Sequence, residues 1–466
     1  MHSILLLCLL LYILLLLFLS LFFSKKMASL EDFFLASRRL PALLVYSSLV
    51  ASWLGATSIL VSTDEAYKHG VSSFWVMGAP AVLTVIIFAF FLTPAIRRQA
   101  ILSLPDLVEL RYGKGVRHLA SLLIIWYMVL LASSQMVAIG NFLKSLLATS
   151  YFEGLILGTT IVLLYSALGG FFSVALTDSL QFFLLFLGIG SLFFFLFSPS
   201  SLSQLAHLSS QIGKSNYFNF FFNFKENILM VTSFTLAWII SPIAWQRIQA
   251  ARTAKAARAS LFFSSGTFFL VYGILVLVGM LSLPLFPSAA AEGPLLAKII
   301  SLPLAGWLSG LLFVAIVAAI MSTMDTAINT GALSLVQDVY QQIFPSVPQA
   351  KIILVSRWST LLVGIAAFLV ATKFQSILKT LGLSSEIMAE GLFVPGIAML
   401  FLRRKLVWAG FLSLSLGGGF SVLSFLSHIK ALPFHLPGWP YSVPYGMGLC
   451  LVGFGLGFIL DKYTGA

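Results

Sequence analysis

Residues 311–330 read LLFVAIVAAIMSTMDTAINT, an apolar helix that turns polar in its second half. At about 100° per residue, with Ala319 as origin, Ala315, Ser322, Thr323, Thr326, Asn329 and Thr330 fall within about 80° to either side. Ile320, Met321, Met324 and Ile328 point away. One face is therefore small and rich in oxygen. Asp325 stands at its edge, and an ionised carboxylate in the middle of a membrane helix costs on the order of 3 kcal/mol, so it must face a partner, water or a cation. Two readings of the stripe are open. It is either the wall of a cation path or a seam of close helix packing, in which Ser and Thr bond back to the preceding turn.

The composition around this stretch is 59% hydrophobic and only 9% charged, which excludes a soluble globular domain. At about 20 residues per crossing, 466 residues hold roughly a dozen membrane helices and leave no room for a large soluble domain. Cys8 and Cys450 both lie in apolar runs, with no metal spacing and no disulfide framework. The net charge of +12 is spread in short clusters between apolar runs, which argues against a nucleic-acid partner and for a topogenic role. With the N-terminus outside, nineteen of the 27 Lys and Arg, Arg117 and Arg247 among them, fall in cytoplasmic loops. That asymmetry selects N-outside and C-inside in a plasma or inner membrane.

Taken in order, residues 3–23 form an unbroken apolar run whose flanking charge, Lys25 and Lys26, lies only behind it, the pattern of an uncleaved span. The span at 42–66 contains SSLVASWLGATSIL, small and polar at its middle, and is open either to backbone unwinding beside a cavity or to close packing. Spans follow at about 72–95, 118–144 and 152–168. Gly169 and Gly170 predict a tight turn, and the next span, to about 196, carries Asp178 near its start. That carboxylate also reads as a first-turn complement to the helix dipole. Residues 198–226 read as a loop. In 227–245, NILMVTSFTLAWIISPIAW, Pro242 removes a backbone hydrogen bond and breaks the helix. QRIQAARTAKAARAS then reads as a basic cytoplasmic loop, and six further spans, at 260–284, 304–330, 352–371, 384–402, 406–426 and 442–460, bring the count to thirteen. Glu386 and Glu390 are expected at the outer mouth, solvated.

Four segments, DFFLASR at 32–38, LGGFFSVALTDSLQ at 168–181, WQRIQAA at 245–251 and AAIMSTMD at 318–325, resemble the sodium:solute symporter family. The resemblance covers roughly residues 29–405. It implies an all-α, LeuT-type secondary transporter in one transmembrane domain, 1–466, built from two five-helix inverted repeats at 42–196 and 227–402. Flanking helices would lie at 3–23 and 406–460. The two broken helices, near 50–58 and 238–243 with four intact ones between them, fit that plan.

The same resemblance implies a sodium ion held by the carbonyls of Ala51, Leu54 and Ala319 and the hydroxyls of Ser322 and Thr323, a neutral all-oxygen set suited to a hard cation. Some members have a further cation site, whose counterparts here are Asp178, Ser322, Asp325 and Thr326. A substrate cavity would be lined by Trp53, Ser58, Gln135, Trp238 and Pro242, with Thr57 and Trp245 nearby. The amide-rich pattern of sugar-transporting members is absent, and a small, partly apolar solute such as an amino acid or organic anion is preferred. A channel or a membrane-embedded sensor would use the same module. The six His residues are scattered without ligand or nucleophile–base spacing, so no enzyme constellation is legible.

Overall fold

The structure, a computed structural model, describes residues 2–24, 30–99, 101–287 and 294–464, and every regular element among them is helical. Among the described residues, ten helices are long and apolar enough to cross a membrane, or eleven when the bent pair Phe224–Ile239 and Pro242–Ala250 is taken as one span. Thirteen is not reached by that measure. The break in the second span leaves the helix Ala42–Trp53 only 12 residues long, and Tyr151–Ala167 is also short.

The N-terminal helix His2–Ser24 shows why its sequence is apolar all round. Leu5, Leu9, Tyr12 and Leu16, spaced three to four apart, are buried, whereas Leu6, Leu7, Leu10, Leu11 and Leu14 are exposed on the lipid-facing side. Tyr12 accepts a hydrogen bond from Gln181 at 2.7 Å, and Cys8 packs where Gly310 has no side chain.

Helical backbone runs through Tyr151–Leu196 without the gap that Gly169 and Gly170 suggested. Its neighbours nevertheless require a reversal. Ser166 donates to Asp325, and Gly188 packs on Ala315. Those 22 residues would span about 33 Å in a straight helix, but the partners are only about 15 Å apart along theirs. Ser173 meets Ser20 and Gln181 meets Tyr12, so the second half runs antiparallel to the N-terminal helix. Gly169 and Gly170, read as the turn, lie outside the residues whose surroundings are described.

The stretch read as a loop at 198–226 contains the helix Pro199–Gln211, started by Ser198 and by proline in its first turn. The chain that follows clamps the next hairpin. Val71 N–H donates to Tyr217 O at 3.0 Å, and Gly70, at φ 73°, comes so close that a Cβ would overlap that carbonyl. Toward the C-terminus, the carboxylate of Asp461 accepts from the backbone N–H groups of Trp408 and Ala409, both at 2.9 Å, capping the helix Val407–Ser413.

Candidate functional site

The small and polar middle of the second span is a true break. The helix Ala42–Trp53 ends at Leu54, whose φ of −87° and ψ of 52° leave the helical region, and a widened π-type turn resumes at Thr57–Val61. Side chains replace the lost backbone bonds. Gln135 Oε1 accepts from Ala56 N–H at 2.8 Å, and Ser58 donates to Trp53 O at 2.6 Å while accepting from Tyr272 at 2.8 Å. Unwound backbone at this depth survives only with such partners.

The polar stripe of the helix Gly306–Leu333 lies against this break. Ser322 Oγ donates to Ala51 O and to Ala319 O, each at 2.9 Å, and Thr323 Oγ1 donates to Ser52 O at 2.9 Å. Four of the five expected sodium ligands, Ala51, Ala319, Ser322 and Thr323, therefore belong to one oxygen cluster. Leu54 stays at the break, but the carbonyl that Thr323 meets is that of Ser52. Neutral carbonyl and hydroxyl oxygens without any sulfur or nitrogen fit a hard alkali cation. Gly55 makes the approach achievable. A Cβ there would overlap Thr323 Oγ1 and lie 2.8 Å from Gln135 Oε1. Gly55→Ala should therefore abolish sodium-dependent transport while leaving membrane insertion intact, checked by uptake against surface-exposed protein.

The second broken helix bends by 42° between Phe224–Ile239 and Pro242–Ala250. Trp245 Nε1 donates to Ile239 O at 3.0 Å, so this tryptophan mends the break and is fully buried. Trp238 faces the first break instead. Its ring centroid lies 5.5 Å from that of Trp53, which in turn stacks on Phe268 at 5.9 Å. Trp53, Thr57, Ser58, Trp238, Ser241 and Thr323 line one cavity of about 30 Å³, room for about two waters. Gln135 is committed to Ala56, and Pro242 faces a neighbouring cleft with Trp245 and Gln246.

Three expectations need correction. Arg247, placed in a cytoplasmic loop, is the largest fully buried side chain among the described residues. Its NH2 donates to Asp178 Oδ2 at 3.0 Å, to Thr326 Oγ1 at 2.9 Å and to Ser52 Oγ, and its Nε donates to Ser48 Oγ at 3.1 Å. The physical reason is charge pairing: an Asp on a neighbouring span makes a buried guanidinium tolerable. The second correction follows from the first. Asp178, Asp325 and Thr326 do not face one another simply, because Arg247 bridges Asp178 to Thr326 whereas Asp325 accepts from Ser166. Third, Glu386 and Glu390 are wholly buried rather than solvated. Sequence reading also missed Ser48 and Ser52, whose one-turn spacing on the first broken helix was the available signal.

The remaining family segments close one end of the bundle against each other. Gln246 donates to Phe34 O at 2.7 Å, Arg38 donates to Gln249 Oε1 at 2.8 Å, and Leu40 pairs with Ala251 as an isolated bridge.

Over 373 residues, 74% of this chain and 56% of the other, the sequence is 26% identical to the human sodium/iodide cotransporter. It is 24% identical to the sodium/glucose cotransporter of Vibrio parahaemolyticus over 451 residues, 88% of this chain and 81% of that protein. The chain thus spans little more than half the length of the iodide relative. In three dimensions it superposes on the substrate-bound, outward-open structure of a sodium-coupled sialic acid symporter with a TM-score of 0.82. That match has 18% identity and covers 98% of this chain and 97% of the other, and it shows the LeuT-type fold. The profile of the sodium:solute symporter family matches residues 33–405. A match of that extent settles the ancestry: the chain belongs to the sodium:solute symporter family.

Proposed function

We propose that this chain imports a small organic solute by sodium-coupled symport through alternating access. The observation that supports it best is the meeting of the Ser322 and Thr323 hydroxyls with the carbonyls of Ala51 and Ser52 at a helix break, beside an aromatic-walled cavity. Sodium is cargo as well as driving ion. Its ligands are the oxygens of Ala51, Leu54, Ala319, Ser322 and Thr323, and the site belongs to the interface of two repeats, 42–196 and 227–402, a reading that the breaks in both spans support. Residues 3–23 remain as an extra span with the N-terminus outside, and the C-terminus is cytoplasmic in a plasma or inner membrane, following the charge asymmetry.

One sodium moving through about 100 mV supplies about 2.3 kcal/mol, and a tenfold gradient adds about 1.4. Together they support several-hundredfold accumulation of a neutral solute, roughly. The cavity walls favour a small, partly apolar solute, an amino acid or organic anion, because two indoles stand among them, no amide side chain lines them, and Gln135 nearby is bonded to Ala56 N–H and Ser134. Named relatives carry iodide, glucose, proline and choline. Sodium-dependent uptake across a panel of radiolabelled solutes in proteoliposomes tests the reading; no sodium-stimulated uptake of any of them would refute it. Trp238 closes the cavity against Trp53, so Trp238→Ala should raise the half-saturation for the transported solute more than that for sodium. Equal, small changes in both would make it a packing residue.

A further inference from the structure

Glu386 and Glu390 lie four residues apart where the helix Ile377–Glu386 widens into the π-type turn Ile387–Leu392. Glu386 is about 15 Å along the helix from its N-terminal end, near the middle of the hydrocarbon layer. Neither side chain is exposed. Ser442 donates to Glu386 Oε1 and its hydroxyl also lies near Glu390, but Glu386 Oε2 and both carboxyl oxygens of Glu390 have no well-aligned hydrogen bond, and neither residue has an ion pair among the described residues.

The surroundings are fitted to these carboxyls. Gly446, on the helix Val443–Thr464, lies so close that a Cβ there would overlap the Glu390 carboxyl, and Gly417 packs in the same way on Glu390 O. Leu123 covers the turn from the helix Lys114–Leu147, and Ser424 approaches Glu386 from Gly419–His428. Apart from each other, the titratable side chain facing the pair among the described residues is Cys450, whose Sγ lies 3.7 Å from Gly391 O and 3.1 Å from Ser413 Oγ. No cation comes from any packed element among the described residues.

Two ionised carboxylates cannot persist side by side in such a place. Each would be stripped of water without a donor, and each would repel the other. A divalent metal ion would lack its usual charged ligands, because no group of three or more acidic, His or Cys side chains occurs among the described residues. A shared proton meets the need with the atoms present. It turns one open oxygen into a donor and leaves another to accept.

We propose that Glu386 and Glu390 form a proton-binding site at the seam between the 377–401 helix and the two C-terminal helices. The proton comes from water at a membrane face, forms an O–H on one carboxyl that donates to the other, and returns to water when the seam opens. The same helix lines the solute cavity through Leu381, so movement at the cavity shifts the carboxyls against Gly446. Transport then carries a pH dependence independent of the sodium ligands.

Infrared spectra of the full-length protein in detergent test this without any solute. At neutral pH the wild type should show a carboxylic-acid C=O band, and Glu386→Gln/Glu390→Gln should lose the intensity of one carboxyl group. Wild-type protein labelled with carboxyl-¹³C glutamate should show the same band displaced, which keeps the test independent of how the variants fold. Unchanged spectra in both experiments would overturn the site. So would a band that vanishes on adding sodium at constant pH, because the pair would then hold a metal ion.

Discussion

Ser322→Ala and Thr323→Ala should each raise the sodium concentration for half-maximal transport by at least about tenfold. Each change removes one oxygen from a cluster that is fully buried, and a lost bond to a charged group is worth about 1.5–3 kcal/mol, roughly 10- to 150-fold in affinity. The geometry also separates this from packing. Thr323→Ser keeps the oxygen that reaches Ser52 O, so it should be milder than Thr323→Ala; a packing role would make the two alike, since Ser and Ala differ little in volume. Thr330→Ala is the control on the same helix. Thr330 donates to Gln246 at 3.1 Å and lies about 10 Å from Thr323 along the axis, so its loss should weaken one closing contact without moving sodium affinity. Wild-type sodium dependence in both alanine variants would remove the ion site from this helix.

Much of this site was legible in the sequence because helical periodicity is a local property. The oxygen face at Ser322, Thr323 and Thr326, the small and polar stretch near 50–58 and the break at Pro242 each follow from a few neighbouring residues. What pairs with what is not local. Arg247 sits in a basic run that satisfies the positive-inside rule as well as Lys255 or Arg258 does, and only the packing of Ser48, Ser52 and Asp178 around it sets it apart. Glu386 and Glu390 misled for a similar reason. Carboxylates near a predicted span boundary read as solvated, but the helix begins at Ile377, earlier than the apolar run suggested, and so carries both to mid-membrane depth.

Arg247→Gln should sharply reduce the yield of folded protein, and Asp178→Asn in the same chain should restore most of it. The pair is 3.0 Å apart and both side chains are buried, so removing one partner strands the other charge at about 3–5 kcal/mol, a large part of the roughly 5–15 kcal/mol that holds a domain folded. Removing both charges leaves neutral amides of similar size among Ser48, Ser52 and Thr326, which such sites tolerate. Sodium distinguishes a merely structural pair from a cation site held by its own guanidinium. If Asp178 is a potential ligand that Arg247 neutralises, the Arg247→Gln variant should gain stability from added sodium in excess of the wild type, because an ion that binds only the folded state raises its melting temperature by mass action. The double variant, lacking the carboxylate, should lose that excess. Monodisperse yield and melting temperature in detergent, with sodium replaced by choline as the reference, read both effects without a transported solute. An Arg247→Gln protein as abundant as the wild type would show that the ion pair carries little stability. A stabilisation by sodium no greater than in the wild type would show that Asp178 is not a sodium ligand.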